Sequence, residues 1–151
     1  MNICSNIAPV DLSSRIIDHL TLLGDDDRYM RFGYLATNQQ IMNYVKSSFK
    51  DDTSYWMLGE LGGKVIATLH MSVQSDYAEF GLTVSKEYRG KGKGKSLFAQ
   101  AYEKCRELKL KSIHLNCLRQ NKAMQNIAVS FRLTIKHNGS DSTAVIFIKY
   151  E

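Results

Sequence analysis

Three glycines alternate with lysines in Arg89-Gly90-Lys91-Gly92-Lys93-Gly94-Lys95. A glycine has no Cβ, so the backbone amides of such a run can approach a ligand closely. A helix beginning directly after the run adds unpaired N–H groups and the positive end of its dipole. Together these are the chemistry of a phosphate site. Two common phosphate motifs fail on spacing. A nucleotide P-loop, GxxxxGK[ST], matches Gly94-Lys95-Ser96 at its end, but Arg89 stands where its first glycine belongs. A dinucleotide fingerprint, GxGxxG, starts at Gly90-Lys91-Gly92 and then meets Lys95 in place of the third glycine.

Other reactive residue types are sparse. His70 and His114 fall on strand-like segments, where a single histidine is more often a surface or hydrogen-bonded core residue than a base. Cys4, Cys105 and Cys117 are odd in number and unrelated in spacing. They suit neither a disulfide framework nor a metal pair, and reduced thiols of a cytoplasmic protein are the simplest reading. No metal site is expected. Cys117 lies on the apolar side of its segment and reads as core.

The elements around the loop are legible. Residues 77–84 read as a strand entering it. Residues 96–109 read as a helix leaving it, with Leu97, Phe98, Ala101, Tyr102, Cys105 and Leu108 on one stripe. Upstream, residues 54–61 and 64–73 flank Gly62-Gly63, a two-residue hairpin signal. Residues 112–118 alternate with period two, and residues 121–131 read as a short helix. Residues 132–136 and 143–149 read as strands joined by a polar turn over 137–141. Near the amino terminus, residues 11–23 form an amphipathic pattern that Asp11 or Ser13 can cap and Gly24 stops. Thr37 and Gln40 have capping-box spacing ahead of Ile41, Tyr44, Val45 and Phe49. Residues 24–36 and 49–54 read as loops. The first residues can add one more strand. This order predicts an α+β domain with a mixed sheet.

A length of 151 residues suits a single domain spanning 1–151. Hydrophobic residues are 44% and charged residues 23%, which are globular values that exclude disordered and fibrous classes. No apolar run approaches membrane-spanning length, and residues 1–10 lack a secretory pattern. The net charge is +5, and its distribution is uneven. Residues 86–111 hold nine Lys or Arg against three Glu, whereas the rest holds 11 basic against 12 acidic residues. A local basic patch suits a small polyanionic ligand. Part of it, Lys104, Arg106, Lys109 and Lys111, reads as an ordinary solvated helix face.

The pattern Arg89-x-x-Gly92-x-Gly94 resembles the [QR]-x-x-G-x-[GA] pyrophosphate loop of the GNAT N-acetyltransferase superfamily. Ala78-Glu79-Phe80-Gly81-Leu82-Thr83-Val84 resembles the strand that precedes that loop. Asn121-x-x-Met124-x-x-Ile127-Ala128 resembles the following helix. That helix variant, with Asp27-Arg28-Tyr29-x-Arg31-Phe32, is similar to the GNAT modules of bacterial protein-lysine acetyltransferases. The resemblance implies a mixed sheet flanked by helices, with two strands splayed to form an acyl-CoA cleft. It implies acetyl-CoA as cosubstrate and a primary amine, on a small molecule or a protein, as acceptor. The amine attacks the thioester directly in that family.

Carried over residue by residue, the amides of Arg89, Gly90, Lys91, Gly92, Lys93, Gly94 and Lys95 would hold the pyrophosphate. Leu82, Thr83 and Val84 would pair by backbone with the pantetheine arm, and the Asn121 side chain would touch it. Glu79 matches a strand glutamate that acts as general base, often through water. An amine with a pKa near 10.4 is almost fully protonated at neutral pH and needs such help. Two positions depart from the pattern. Ala128 stands where many members place a proton-donating tyrosine, and Arg132-Leu133 replaces a Gly-Phe at the helix end. The first departure leaves a second reading open, a GNAT-fold module that binds CoA or acetyl-CoA without turnover. A third, nucleic-acid binding through residues 86–111, lacks interleaved aromatic residues beyond Tyr88 and Phe98. The sequence does not specify an oligomeric state.

Overall fold

The computed structural model describes residues 2–4 and 9–150. The chain runs β1 (Asn2–Cys4), α1 (Pro9–Thr21), α2 (Asp25–Phe32), α3 (Asn38–Ser48), β2 (Ser54–Leu61), β3 (Lys64–Gln74) and β4 (Tyr77–Val84). A 3-10 turn at Lys86–Tyr88 leads to α4 (Lys93–Glu107), β5 (Ser112–Leu118), α5 (Lys122–Ser130), β6 (Lys136–Asn138) and β7 (Asp141–Phe147). The described strands form one sheet in the order β1-β2-β3-β4-β5-β7-β6. The pairs β1–β2 and β4–β5 are parallel and the others antiparallel, so the sheet is mixed.

Several elements follow directly from local chemistry. The β2–β3 hairpin turns at Gly62 and Gly63, whose φ values of +58° and +76° suit the two-residue turn. The Thr37 hydroxyl accepts from the Gln40 amide while the Gln40 side chain accepts from the Thr37 amide. β3 and β4 stay in register from Ala67–Val84 to Gln74–Tyr77.

Other expectations need correction. α1 starts at Pro9, where a fixed φ and a missing N–H suit the first helical position. Positions 11 and 13 are therefore inside the helix, and Gly24 is the N-cap of α2 rather than the stop of α1. α2 itself occupies part of the segment expected to be a loop. Its signal is charge: Asp25, Asp26 and Asp27 in the first turn and Arg31 in the last complement the helix dipole. It has no buried residue, so no apolar periodicity marks it. α4 begins at Lys93, three residues before the expected start, so Gly94 belongs to the helix. Residues 132–135 are not a strand. Arg132 takes a left-handed φ of +63° and closes the turn after α5, the conformation a glycine would adopt most readily. The polar turn shrinks to Gly139-Ser140 between β6 and β7.

The two sheet faces carry separate cores. On one, Ala67, Leu69, Met71, Phe80 and Ile113 pack against Leu97, Phe98 and Ala101 of α4 and Met124 of α5. On the other, Leu12, Ile16 and Leu20 of α1 and Ile41 and Val45 of α3 pack on Trp56 and Leu58. A bulge at Gly59/Glu60 leaves Ile66 without a β2 partner and turns Val65 to the second face. Among the described residues, no helix is long and apolar enough to cross a membrane.

Candidate functional site

β4 and β5 pair only through Tyr77–Ser112, Ala78–Ile113 and Glu79–His114. Beyond Glu79 the two parallel strands part. β5 continues along β7, and β4 continues along β3. The Ser85 amide donates to the Ile66 carbonyl, which fixes the alternation of hydrogen-bonded pairs back along β3 and β4. By that alternation, Phe80, Leu82 and Val84 turn their backbone groups toward the opening, while Thr83 turns its own toward β3. The splay thus exposes unpaired strand edge beside a cleft of about 590 Å³.

The N-terminus of α4 closes one end of this cleft. Gly92 is its N-cap at φ +79°, with no side chain capping the helix. The Ser96 amide is the first to find an intrahelical acceptor, the Gly92 carbonyl. The amides of Lys93, Gly94 and Lys95 are therefore the orphan donors of a helix start. A Cβ on Gly90 or Gly92 would meet no protein atom within 4 Å. Gly94 differs: a Cβ there would stand 2.9 Å from Ile127 Cδ1 and 3.2 Å from Leu82 Cδ2. Gly90 and Gly92 keep the approach to the amides open, whereas Gly94 lets α4 pack closely on β4 and α5. Open amides, a dipole end and flanking lysines fit a pyrophosphate.

The structure brings most of the expected residues together. Leu82, Thr83, Val84, Arg89, Gly90, Gly92, Lys93, Gly94, Lys95 and Asn121 all line the cleft. Lys91 does not; its ammonium lies 5.8 Å from the centre of the Tyr88 ring. The Arg89 side chain is committed to the protein, donating to the Val84 carbonyl at 2.8 Å and pairing with Asp27 at 2.8 Å. It braces the loop against α2. Thr83 Oγ1 is buried, within 2.6 Å of Thr68 Oγ1 and 2.8 Å of His19 Nε2. Asn121 Oδ1 caps α5 by accepting from the Met124 amide at 3.1 Å. Ala128 is buried in the core and offers no proton donor.

A smaller cavity of about 250 Å³ opens at the splay point itself. Glu79 lines it, with Arg31 of α2, Tyr44 of α3, His70 of β3 and Asn116 and Cys117 of β5. Burial pushes the Cys117 thiol pKa up, so it stays a thiol. His70 is buried between the Tyr44 and Ser54 hydroxyls and stacks on Trp56 at 4.5 Å. Burial, aided by the Arg31 charge, lowers its pKa to about 3, so the ring is neutral. His19 is likewise buried behind β4, between Thr83 and Ser85, and burial lowers its pKa to about 4. Tyr77 and Tyr102 lie elsewhere, bonded to Gln74 and to the Lys149 amide. Tyr55 lies beneath the Lys104 ammonium.

Sequence reasoning missed Arg31 and Tyr44 as cavity residues. The motif containing Arg31 was visible, but its parts serve different ends. Asp27 braces Arg89. Arg28 donates to the carbonyls of Thr21, Leu23 and Ala36 and ties α1 to the start of α3. Met30 and Arg31 reach the cavity at the splay, and both also line the larger cleft.

The sequence matches the family model described as acetyltransferase (GNAT) family over residues 21–129. No curated protein sequence matches it. The GNAT domain of S. lividans PAT superposes with a TM-score of 0.79 at 18% identity, over 93% of this chain and 87% of that one. The PaiA N-acetyltransferase of Thermoplasma acidophilum, in complex with coenzyme A, gives 0.73 at 15%, over 95% and 96%. Salmonella typhimurium yncA, with its cofactor acetyl-CoA, gives 0.68 at 10%, over 96% and 92%. At these identities the likeness is one of fold.

Proposed function

The chain belongs to the GNAT acetyltransferase family, and from that premise we propose that it moves the acetyl group of acetyl-CoA to a primary amine. The observation carrying this reading is the splay. An unpaired β4 edge leads from three orphan helix amides to a carboxylate, Glu79, at the point where the strands part. Acetyl-CoA supplies the activated acetyl group. The amides of Lys93, Gly94 and Lys95 hold its pyrophosphate, and the edges of Leu82 and Val84 align its arm. Thr83 contributes by fixing the strand from behind, through His19 and Thr68.

Glu79 is the general base in this reading, directly or through one water. The reaction forms an amide C–N bond and breaks the thioester C–S bond. Of the two protons the ammonium loses, one passes to Glu79 and on to water, and the other ends on the departing thiol. With Ala128 in place of a tyrosine, that second proton comes by way of solvent. Ala128 also favours a competing reading, a module that binds acetyl-CoA without turnover. Release of free thiol from acetyl-CoA, measured over an amine panel, separates the two. Amine-dependent release is expected, and tight acetyl-CoA binding with no release under any amine contradicts transfer.

A further inference from the structure

Arg31 presents a charge that no carboxylate of the described residues neutralises. Its Nη2 donates to the Tyr44 hydroxyl at 2.6 Å. Its guanidinium carbon lies 4.8 Å from the centre of the Phe32 ring and 5.4 Å from that of Tyr44. No carboxylate among the described residues pairs with it. Its Nε is buried and has no hydrogen-bond partner among the described residues. A buried donor on a cation is destabilising unless something satisfies it. Gly81 makes room for this arrangement, because a methyl group there would overlap the guanidinium. The φ of Gly81 is not in the left-handed region, so space rather than backbone freedom explains the glycine.

Gly81 and Glu79 are two residues apart on one strand, hence on the same face and about 6.6 Å apart along it. Arg31 and Glu79 therefore line the same 250 Å³ cavity at neighbouring positions, one cationic and one anionic. We infer that the acceptor is a small amino acid-type molecule, whose amine faces Glu79 and whose carboxylate is held by Arg31. This rests on the acetyl-transfer reading and narrows it. Pairing of a carboxylate with the guanidinium through its terminal nitrogens would neutralise the charge, and the cavity suits one small molecule. A lysine side chain within a polypeptide brings an amine but no carboxylate, and would leave Arg31 unmatched.

The test compares L-α-amino acids with their primary amides and with the corresponding decarboxylated amines, using thiol release from acetyl-CoA. The carboxylate is expected to lower KM by roughly 10- to 150-fold, the worth of one charge-assisted hydrogen bond. Arg31→Gln should erase that preference and keep the melting shift given by CoA. Gly81→Ala should weaken the preference too, by displacing the guanidinium without altering its charge. A binding readout, heat on titrating the amino acid into the CoA complex, should follow KM in all three proteins. Equal turnover of acid, amide and amine overturns this inference while leaving acetyl transfer intact. Loss of CoA binding in Arg31→Gln also overturns it, because Arg31 would then serve the cofactor. Absence of turnover with every amine overturns both readings.

Discussion

Replacing Gly92 by valine separates cofactor binding from folding. Gly92 sits at φ +79°, and an L-residue in the left-handed region costs about 1–2 kcal/mol. Its Cβ meets no protein atom within 4 Å, so no clash adds to that cost. For a chain of 151 residues such a loss lowers Tm by about 2–8 °C, which leaves a folded protein to assay. The new side chain would stand over the amides of Lys93, Gly94 and Lys95. Losing one charge-assisted hydrogen bond to phosphate, worth about 1.5–3 kcal/mol, weakens CoA binding roughly 10- to 150-fold. Calorimetric titration with CoA, beside a circular dichroism melt, reads both effects. Gly94→Val is the poorer experiment, because contacts of 2.9 and 3.2 Å with Ile127 and Leu82 would disturb packing as well. A folded Gly92→Val protein that binds CoA as tightly as the parent would refute the phosphate cradle.

Three further predictions follow from particular residues. Glu79→Gln should keep CoA affinity and lower kcat by about 10²- to 10⁴-fold, with the loss shrinking as pH rises toward the amine's own pKa; an unchanged rate at neutral pH contradicts its role as base. His19 and His70 have folded pKa values of about 4 and 3, below the ordinary 6.5. The folded state thus binds fewer protons than the unfolded state, and stability present above pH 6.5 is lost as pH falls toward those values. Between pH 7.5 and 5.5 denaturant melts should show a loss of about 1.4 kcal/mol for each histidine, and a flat profile would mean that the folded rings take up protons over the same pH range as the unfolded ones. Arg132→Gly should raise stability by about 1 kcal/mol, by relieving the left-handed φ of +63°; a lower Tm would show that the arginine side chain matters more than its backbone.

Residues 77–84 and 112–118 were legible as strands because their alternation is buried on one side, and both were found with their observed ends. The hairpin at Gly62-Gly63 and the capping box at Thr37 carry turn and cap chemistry that acts locally. The glycine-rich loop ahead of α4 was legible for the same reason, since glycine spacing states where backbone must be bare. α2 was not legible as a helix, because it buries no residue and offers charge order instead of an apolar stripe. The cavity chemistry was hidden further. Arg31, Tyr44 and His70 come from three elements, and only the packing of α2 and α3 over β3 and β4 joins them. Tyr44 falls on the same helical face as Ile41 and Val45, and its sequence position reads as core. Cys117, also read as core, is half-buried and lines that cavity because β5 leaves β4 there.

The central claim is that the splay and the α4 N-terminus bind acetyl-CoA, and a thermal melt with and without it is the most direct measurement. A ligand that binds only the folded state, at 100 times its Kd, adds about 2.7 kcal/mol. For this chain length that corresponds to a rise in Tm of about 5–10 °C, with ATP giving less because the loop lacks P-loop spacing. No rise at millimolar acetyl-CoA, or an equal rise with ATP, contradicts the assignment of the cleft.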